Sequence, residues 1–114
     1  MLKIYGIKNC DTMKKAFTWL DSKGIKYVFH NYKTDGIDEN TILDWLKKLP
    51  LDQVINMKGA TWRGLSEEEK ASVIDINKAI NLMIAKPSMI KRPLVQFNQK
   101  YILGFSEQEW LSLL

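Results

Sequence analysis

Residues 2–32 read LKIYGIKNCDTMKKAFTWLDSKGIKYVFHNY, and this stretch decides the fold. Residues 2–5 alternate between apolar and polar side chains and predict a strand, which a loop follows through Cys10. Apolar residues then recur at helical spacing from Met13, and Gly24 is a typical residue just beyond a helix end. Residues 26–32 are rich in Tyr, Val and Phe and predict a second strand. A short right-handed crossover makes the two strands parallel neighbours or near neighbours.

The middle of the chain is predicted to be helical. Four side chains are predicted to begin helices or short turns, and they are Asp38, Asp52, Ser66 in a capping box with Glu69, and Asp75. Residues 58–64 are bounded by glycine, show no apolar period and are predicted to form a loop. Pro87 is predicted to end the helical region.

The C-terminal third is predicted to return to strands. Residues 94–98 and 100–103 flank a turn at Asn98 and Gln99 and predict an antiparallel hairpin. Ser106 and Glu109 form a second capping-box pattern that begins a last helix. The order βαβ, helices, ββα predicts one α/β domain over residues 1–114 with a thioredoxin-like fold. Its four-stranded mixed sheet carries a helical insertion at about residues 38–89 between the two halves.

Composition excludes several classes of function. One cysteine and one histidine among 114 residues exclude an internal disulfide and a structural zinc site. No apolar stretch approaches the roughly 20 residues of a membrane span, and the N-terminus does not resemble a signal peptide. The net charge of +4 comes from scattered lysines, so no nucleic-acid partner is expected. The lone thiol favours the cytoplasm, and a monomer is the default expectation.

Cys10 is the candidate nucleophile. It lies after the first strand at the entrance to the first helix, where unpaired N–H groups and the helix dipole favour a thiolate. Lys8 acts in the same direction and Asp11 opposes it. The alternative is a small buried hydrophobic residue, as many cysteines are. The position at the carboxyl end of a parallel strand favours the reactive interpretation, because ligands bind there in α/β sheets.

Two arginines are candidate anion ligands, since the other 15 basic residues are lysines. Arg92 precedes Pro93 at the start of the third strand, where a thioredoxin-like sheet would place it facing Cys10 next to a cis peptide bond. Arg63 lies in the segment predicted as a loop, beside Trp62. The alternatives are a surface arginine at 92 and an arginine stacked on Trp62 at 63. With Cys10, the two arginines would suit an oxyanion or a carboxylate-bearing thiol.

Other notable residues receive structural interpretations. His30 has no partner at the spacing of a catalytic pair and is predicted to be structural or exposed. Trp19, Trp45 and Trp110 lie on predicted helix faces and are expected to pack in the core.

Four blocks in order along the chain resemble the arsenate reductase/Spx family, and closest its YffB-type members. They are YGIKNCDTMKKA (residues 5–16), GATWR (59–63), KRPL (91–94) and LGFS (103–106). The resemblance implies a thioredoxin-like fold, a redox nucleophile at Cys10, and anion binding by Arg63 and Arg92.

This chain departs from the family pattern at positions that differ between the family's known functions. Spx-type regulators carry a Cys-x-x-Cys switch, but Met13 occupies the second position here. Arsenate reductases of the family have a histidine where this chain has Gly6, and a third arginine that residues 104–107 lack. YffB-type proteins resemble glutathione-dependent thiol reductases, which suits a chain whose only thiol requires an external thiol for resolution.

The resulting hypothesis is a glutathione-dependent thiol reductase with no bound cofactor or metal. Cys10 would attack a disulfide or an oxidised small substrate, Arg63 and Arg92 would bind its anionic groups, and glutathione would displace the product. The expected substrate or glutathione site comprises Lys8, Asn9, Asp11, Thr12, Arg63, Arg92 and Pro93, with the N–H groups of residues 11 and 12 stabilising anions. The alternatives are a Spx-like regulator that binds a protein partner without redox turnover, and a true arsenate reductase.

Overall fold

The computed structural model describes all residues from 1 to 114. Four strands and eight α-helices follow one another, with 3₁₀ turns at Pro87–Met89 and Leu111–Leu113. The strands are β1 (Leu2–Gly6), β2 (Tyr27–Asn31), β3 (Leu94–Phe97) and β4 (Lys100–Leu103). The helices are α1 (Asp11–Ser22), α2 (Tyr32–Asp35), α3 (Glu39–Leu46), α4 (Leu51–Val54), α5 (Ala60–Arg63), α6 (Glu67–Ser72), α7 (Ile76–Ala85) and α8 (Glu107–Trp110).

The sheet has the strand order β2-β1-β3-β4. β1 runs parallel to β2 and antiparallel to β3, and β3 pairs antiparallel with β4. Ile4 is the centre of the register, opposite Phe29 on one side and Val95 on the other. Asn98 and Gln99 both have positive φ, as the tight turn between β3 and β4 requires. The predicted thioredoxin-like mixed sheet is confirmed.

Helix α1 forms because its apolar residues recur on one face and both of its ends are defined. Cys10 is the N-cap residue in extended conformation, and Gly24 follows the helix at φ +66°, as predicted. The apolar face of α1 packs on the sheet together with Trp110. The buried residues of this core are Leu2, Ile4, Met13, Ala16, Trp19, Leu20, Val95, Trp110 and Leu113. This packing fixes the N-terminus of α1, and therefore Cys10, at the end of β1.

Residues 36–91 form a compact unit of their own, and residues 1–35 with 92–114 form another. In the helical unit, Asp38 and Asp75 accept hydrogen bonds from the first turns of α3 and α7, and Ser66 with Glu69 completes a capping box. Helix α3 contacts α7, and Ile55 forms a β-bridge with Ile90. The single-domain organisation with an insertion at about 38–89 remains a prediction.

Local structure corrects several sequence expectations. Residues 60–63 form a helical turn rather than part of a loop, because Gly59 is its N-cap and the Arg63 N–H donates to the Gly59 carbonyl at 3.1 Å. Asp52 lies inside α4, and Pro50 is the N-cap residue. Helix α2 directly after β2 was not predicted. Ser106 caps α8 by accepting from the Glu109 N–H at 3.3 Å, but the Glu109 side chain does not accept from the Ser106 N–H, so the predicted capping box is only half formed. None of the helices is long and apolar enough to cross a bilayer.

Candidate active site

Cys10 lies at the junction between the loop that leaves β1 and the first turn of α1. Its backbone is extended, its carbonyl accepts the first helical hydrogen bond from the Lys14 N–H at 2.9 Å, and its side chain is half-buried. The Sγ atom lies beside the N–H groups of the first helical turn, which have no partner within the helix, and it remains accessible from solvent.

The surroundings of Cys10 favour its thiolate. Partial burial alone would raise the pKa of this thiol, but three sets of donors outweigh it and lower the pKa below its ordinary value. They are the backbone N–H of Met13, the Arg92 guanidinium and the backbone N–H of Thr12. A thiolate is the nucleophilic form of cysteine, so this geometry prepares Cys10 for attack on an electrophilic sulfur or on the central atom of an oxyanion.

Arg92 is positioned by the start of β3. The Arg92–Pro93 peptide bond is cis, as the sequence predicted, and the Gly104 N–H donates to the Pro93 carbonyl at 2.8 Å. Because β3 pairs directly with β1, the residue before Pro93 reaches the end of β1 where Cys10 follows. The guanidinium donates a hydrogen bond to the Cys10 side chain. Cys10 and Arg92 are thus brought together.

An aromatic group next to Arg92 was missed by the sequence argument. Tyr5 of β1, His30 of β2 and Tyr32 at the start of α2 form a ring cluster, with ring centroids 4.9 Å apart for Tyr5 and His30 and 5.9 Å apart for His30 and Tyr32. Tyr32 is 4% exposed, and its hydroxyl has no hydrogen-bond partner. Burial raises the pKa of Tyr32, whereas the charge of Arg92 acts in the opposite direction. The available signal was the spacing of His30 and Tyr32, two residues apart in the segment predicted as the second strand, which would place both on one face beside Tyr5.

Met13 and Gly6 occupy two positions that distinguish this chain from the arsenate reductase and Spx patterns, and the structure places them against each other. A Cβ atom on Gly6 would lie 2.5 Å from the Met13 Sδ and 2.6 Å from its Cε. Met13 is fully buried in the core. A side chain at position 6 is therefore incompatible with the present position of the Met13 thioether, so the two departures are sterically coupled.

The remaining predicted site residues have different environments. Lys8 and Asn9 are exposed in the loop before Cys10, and Asp11 and Thr12 are exposed in the first turn of α1. Pro93 is buried at the start of β3. Arg63 is exposed at the end of α5, in the helical unit. Its role in anion binding stays a prediction.

Comparison with known proteins assigns the family. Residues 5–113 match the ArsC family model. The chain belongs to the ArsC family. This ArsC-family chain is 44% identical to the solved YFFB protein, with a TM-score of 0.92 over 98% of this chain and 97% of that one. It is 45% identical to an arsenate reductase (ArsC) related protein from Brucella melitensis, with a TM-score of 0.77 over 97% and 92% of the two chains.

A curated relative of this ArsC-family chain is a regulator. The global transcriptional regulator Spx 1 of Lactococcus lactis is 24% identical over 111 residues, which cover 96% of this chain and 85% of the regulator. The resemblance to the arsenate reductase/Spx family, including its YffB-type members, is thereby confirmed. The chain is arsenate reductase-like in sequence and in fold.

Proposed function

We propose that this ArsC-family protein is a glutathione-dependent thiol reductase that uses Cys10 as its nucleophile. The observation that supports this most directly is the hydrogen bonding of Cys10, whose pKa is lowered by the Met13 N–H, the Arg92 guanidinium and the Thr12 N–H despite partial burial. An inert structural cysteine has no need of these donors, since burial in apolar surroundings would instead raise its pKa.

The first step is attack by the Cys10 thiolate on a disulfide R–S–S–R. The bond between the two substrate sulfurs breaks as the bond from Sγ to one of them forms, and the other sulfur leaves as a thiolate that takes a proton from solvent. Cys10 is oxidised to a mixed disulfide, and half of the substrate is reduced. Arg92 then lies beside the mixed disulfide, and its guanidinium can bind carboxylate groups of the substrate half.

The second step requires an external thiol, because Cys10 is the only cysteine of the chain. A glutathione thiolate attacks the substrate sulfur of the mixed disulfide, and the Cys10 Sγ leaves as a thiolate that the same donors stabilise. One disulfide R–S–S–R and one glutathione become one thiol R–SH and a mixed disulfide of R with glutathione. A second cycle on that product yields oxidised glutathione.

Further residues are assigned roles in this proposal. Lys8, Asn9 and the N–H groups of Asp11 and Thr12 stabilise the thiolate and developing negative charge at the start of α1. Arg63 contributes a second planar donor for carboxylate or oxyanion groups of the substrate. Neither role depends on a bound cofactor or metal.

Turnover of a neutral disulfide tests the proposal. The assay follows reduction of bis(2-hydroxyethyl) disulfide by glutathione, with glutathione reductase and NADPH recording the oxidised glutathione formed. We expect Cys10→Ser to reduce the rate to that of the reaction without enzyme, whereas Lys91→Gln removes a neighbouring exposed charge and leaves the rate near that of the wild type. Full turnover by Cys10→Ser would refute the mechanism.

A Spx-like binding function is the second candidate, and the match over 96% of this chain to a Spx regulator favours keeping it. A binding protein does not require an activated thiol. If the Cys10 pKa is ordinary and glutathione-dependent turnover is absent, while the folded chain binds a protein partner equally well with Cys10 or serine, the regulator interpretation replaces the reductase. A true arsenate reductase would show glutathione-dependent reduction of arsenate in the same coupled assay.

A further inference from the structure

A cleft of about 610 Å³ lies between α1, the edge strand β2 and α2, all within the same compact unit as Cys10. This volume is in the range of small-molecule sites, roughly 300–1,000 Å³, and is too small for a folded partner. The proposed disulfide exchange at Cys10 uses Lys8 and Asn9 from its lining but none of its other residues.

The cleft follows α1 away from Cys10. Lys14 is four residues beyond Cys10 and Phe17 is seven, so all three lie on one stripe of the helix. Asn9, which directly precedes Cys10, lines the cleft together with Lys14 and Phe17. A group bonded to the Cys10 Sγ can therefore extend along this stripe into the cleft, one to two helical turns from the sulfur.

The far part of the cleft is aromatic. The Phe17 ring stacks on the Tyr27 ring with centroids 5.6 Å apart and meets the Phe29 ring edge-on at 5.0 Å. All three side chains are only partly buried, although they pack against the core. They offer ring surface to a ligand without requiring the core to open, and an aromatic ring of the ligand can pair with them by offset stacking or edge-on.

The part of the cleft nearer Cys10 is cationic. Lys8 and Lys14 are exposed and line this part, and Asp35 is the one acidic lining residue. The Asp35 carboxylate accepts a hydrogen bond from the Asn31 N–H at 3.2 Å, so it already has a partner within the chain. Two lysines against one bonded carboxylate favour a ligand that carries negative charge.

We infer that this cleft binds the arm of a low-molecular-weight disulfide that carries an aromatic ring and a carboxylate, with the ring against Phe17 and the carboxylate at Lys14. The inference rests on the proposed function and names its substrate class. The chemistry is the exchange already described: the Cys10 thiolate bonds to the sulfur of the arm that lies in the cleft, and the other half leaves as a thiolate.

Three disulfides distinguish the effect of the substrate's charge, the effect of its aromatic ring and the reactivity of the disulfide bond itself. They are 5,5′-dithiobis(2-nitrobenzoate), which is aromatic and anionic, 4,4′-dithiodipyridine, which is aromatic and neutral, and bis(2-hydroxyethyl) disulfide, which is neither. The measurement is the second-order rate constant of mixed-disulfide formation at Cys10 under low ionic strength and again in high salt. Each variant is compared with the wild type for each disulfide, so intrinsic differences between the reagents cancel.

Lys14→Gln is expected to slow reaction with the nitrobenzoate about two- to fivefold at low salt, which is the range for an exposed ion pair, and less in high salt. Rates with the two neutral disulfides should not change. Lys15→Gln is the matched control, since Lys15 is exposed on the same helix but does not line this cleft. Phe17→Leu is expected to slow both aromatic reagents about threefold and to spare the hydroxyethyl disulfide. Phe97→Leu, a half-buried ring of β3 outside the cleft, controls for general loosening.

The outcomes distinguish the two proposals. If Lys14→Gln lost the same factor in rate on all three disulfides, Lys14 would act on the thiolate, and the cleft assignment would be overturned. Equal effects of Lys14→Gln and Lys15→Gln, or no effect of either substitution, would also overturn it. If Phe17→Leu does not fold, the comparison of Lys14→Gln with Lys15→Gln still tests the cleft assignment. If the wild-type protein reacts with the hydroxyethyl disulfide no faster than its own unfolded chain does, the proposed function itself fails.

Discussion

Replacing Arg92 with glutamine removes the guanidinium that donates to the Cys10 side chain and leaves a neutral, shorter side chain. Partial burial then opposes the thiolate with only the Met13 and Thr12 N–H groups acting against it. We expect the pKa of the Cys10 thiol to rise in this variant. The rate of alkylation at pH 7 should fall, because only the thiolate reacts.

The size of the effect follows from the strength of this hydrogen bond. A hydrogen bond to a charged group is worth about 1.5–3 kcal/mol, and solvent around the half-buried Cys10 reduces this to about 1 kcal/mol. Since about 1.4 kcal/mol corresponds to a factor of ten, alkylation should slow about fivefold at pH values below the thiol pKa of both proteins. At alkaline pH, where both proteins are fully thiolate, the variant should match or exceed the wild type, because a thiolate of higher pKa is more nucleophilic.

The assay is iodoacetamide alkylation followed by intact mass over a range of pH. Iodoacetamide is neutral, so the loss of charge at Arg92 does not change its attraction to the protein. Lys91→Gln is the control, because it removes the same charge from the adjacent exposed residue and should leave the profile unchanged. A uniform loss of rate at every pH, or an unchanged profile in Arg92→Gln, would refute the argument that Arg92 stabilises the thiolate.

Three further predictions concern stability and pH. Gly6→Ala should lower the free energy of unfolding by about 1–3 kcal/mol in chemical denaturation, because the new Cβ displaces the Met13 thioether; an unchanged midpoint would contradict this steric coupling. Trp110→Phe should cost at least about 1–2 kcal/mol, because the Nε1–H bond to the Gly104 carbonyl at 3.1 Å is lost and the smaller ring leaves a cavity at a fully buried site; stability equal to wild type would contradict this. Because the pKa of the Cys10 thiol is lowered in the folded state, the thiolate stabilises the fold above the unfolded-state pKa and this contribution is lost as pH falls through the folded-state pKa. The stability of the wild type relative to Cys10→Ser should therefore decrease on acidification through that range, and a parallel pair of profiles would contradict the lowered pKa.

The parts of the fold that followed from the sequence are those with strong local signals. Gly24 at positive φ and the Ser66 capping box are each dictated by the chemistry of one or two residues, whereas the cis bond before Pro93 followed from the assumed thioredoxin-like sheet, because most X–Pro bonds are trans. The parallel β1–β2 pair followed from the short crossover. The helical turn over residues 60–63 was missed because four residues cannot display an apolar period, and Gly59 serves as an N-cap without a side-chain signal.

The candidate site was only partly predictable for a related reason. Cys10 at a strand-to-helix junction and Arg92 before β3 are defined by topology, so an assumed thioredoxin-like sheet brings them together. The ring cluster around Tyr32 and the cleft beside Phe17 depend on side chains from different elements that meet only after the sheet register is fixed. The stripe of Cys10, Lys14 and Phe17 on α1 was visible in the sequence, but its partners on β2 were not.

The most direct test of the account is intact-mass kinetics of Cys10 during one catalytic cycle. The reduced protein is mixed with bis(2-hydroxyethyl) disulfide, and glutathione is added after the first reaction is complete. The account predicts one disulfide adduct per chain at Cys10, followed by its removal at a rate no slower than steady-state turnover. Turnover without any adduct, or an adduct that glutathione does not remove, would contradict the central claim that Cys10 transfers the disulfide to glutathione.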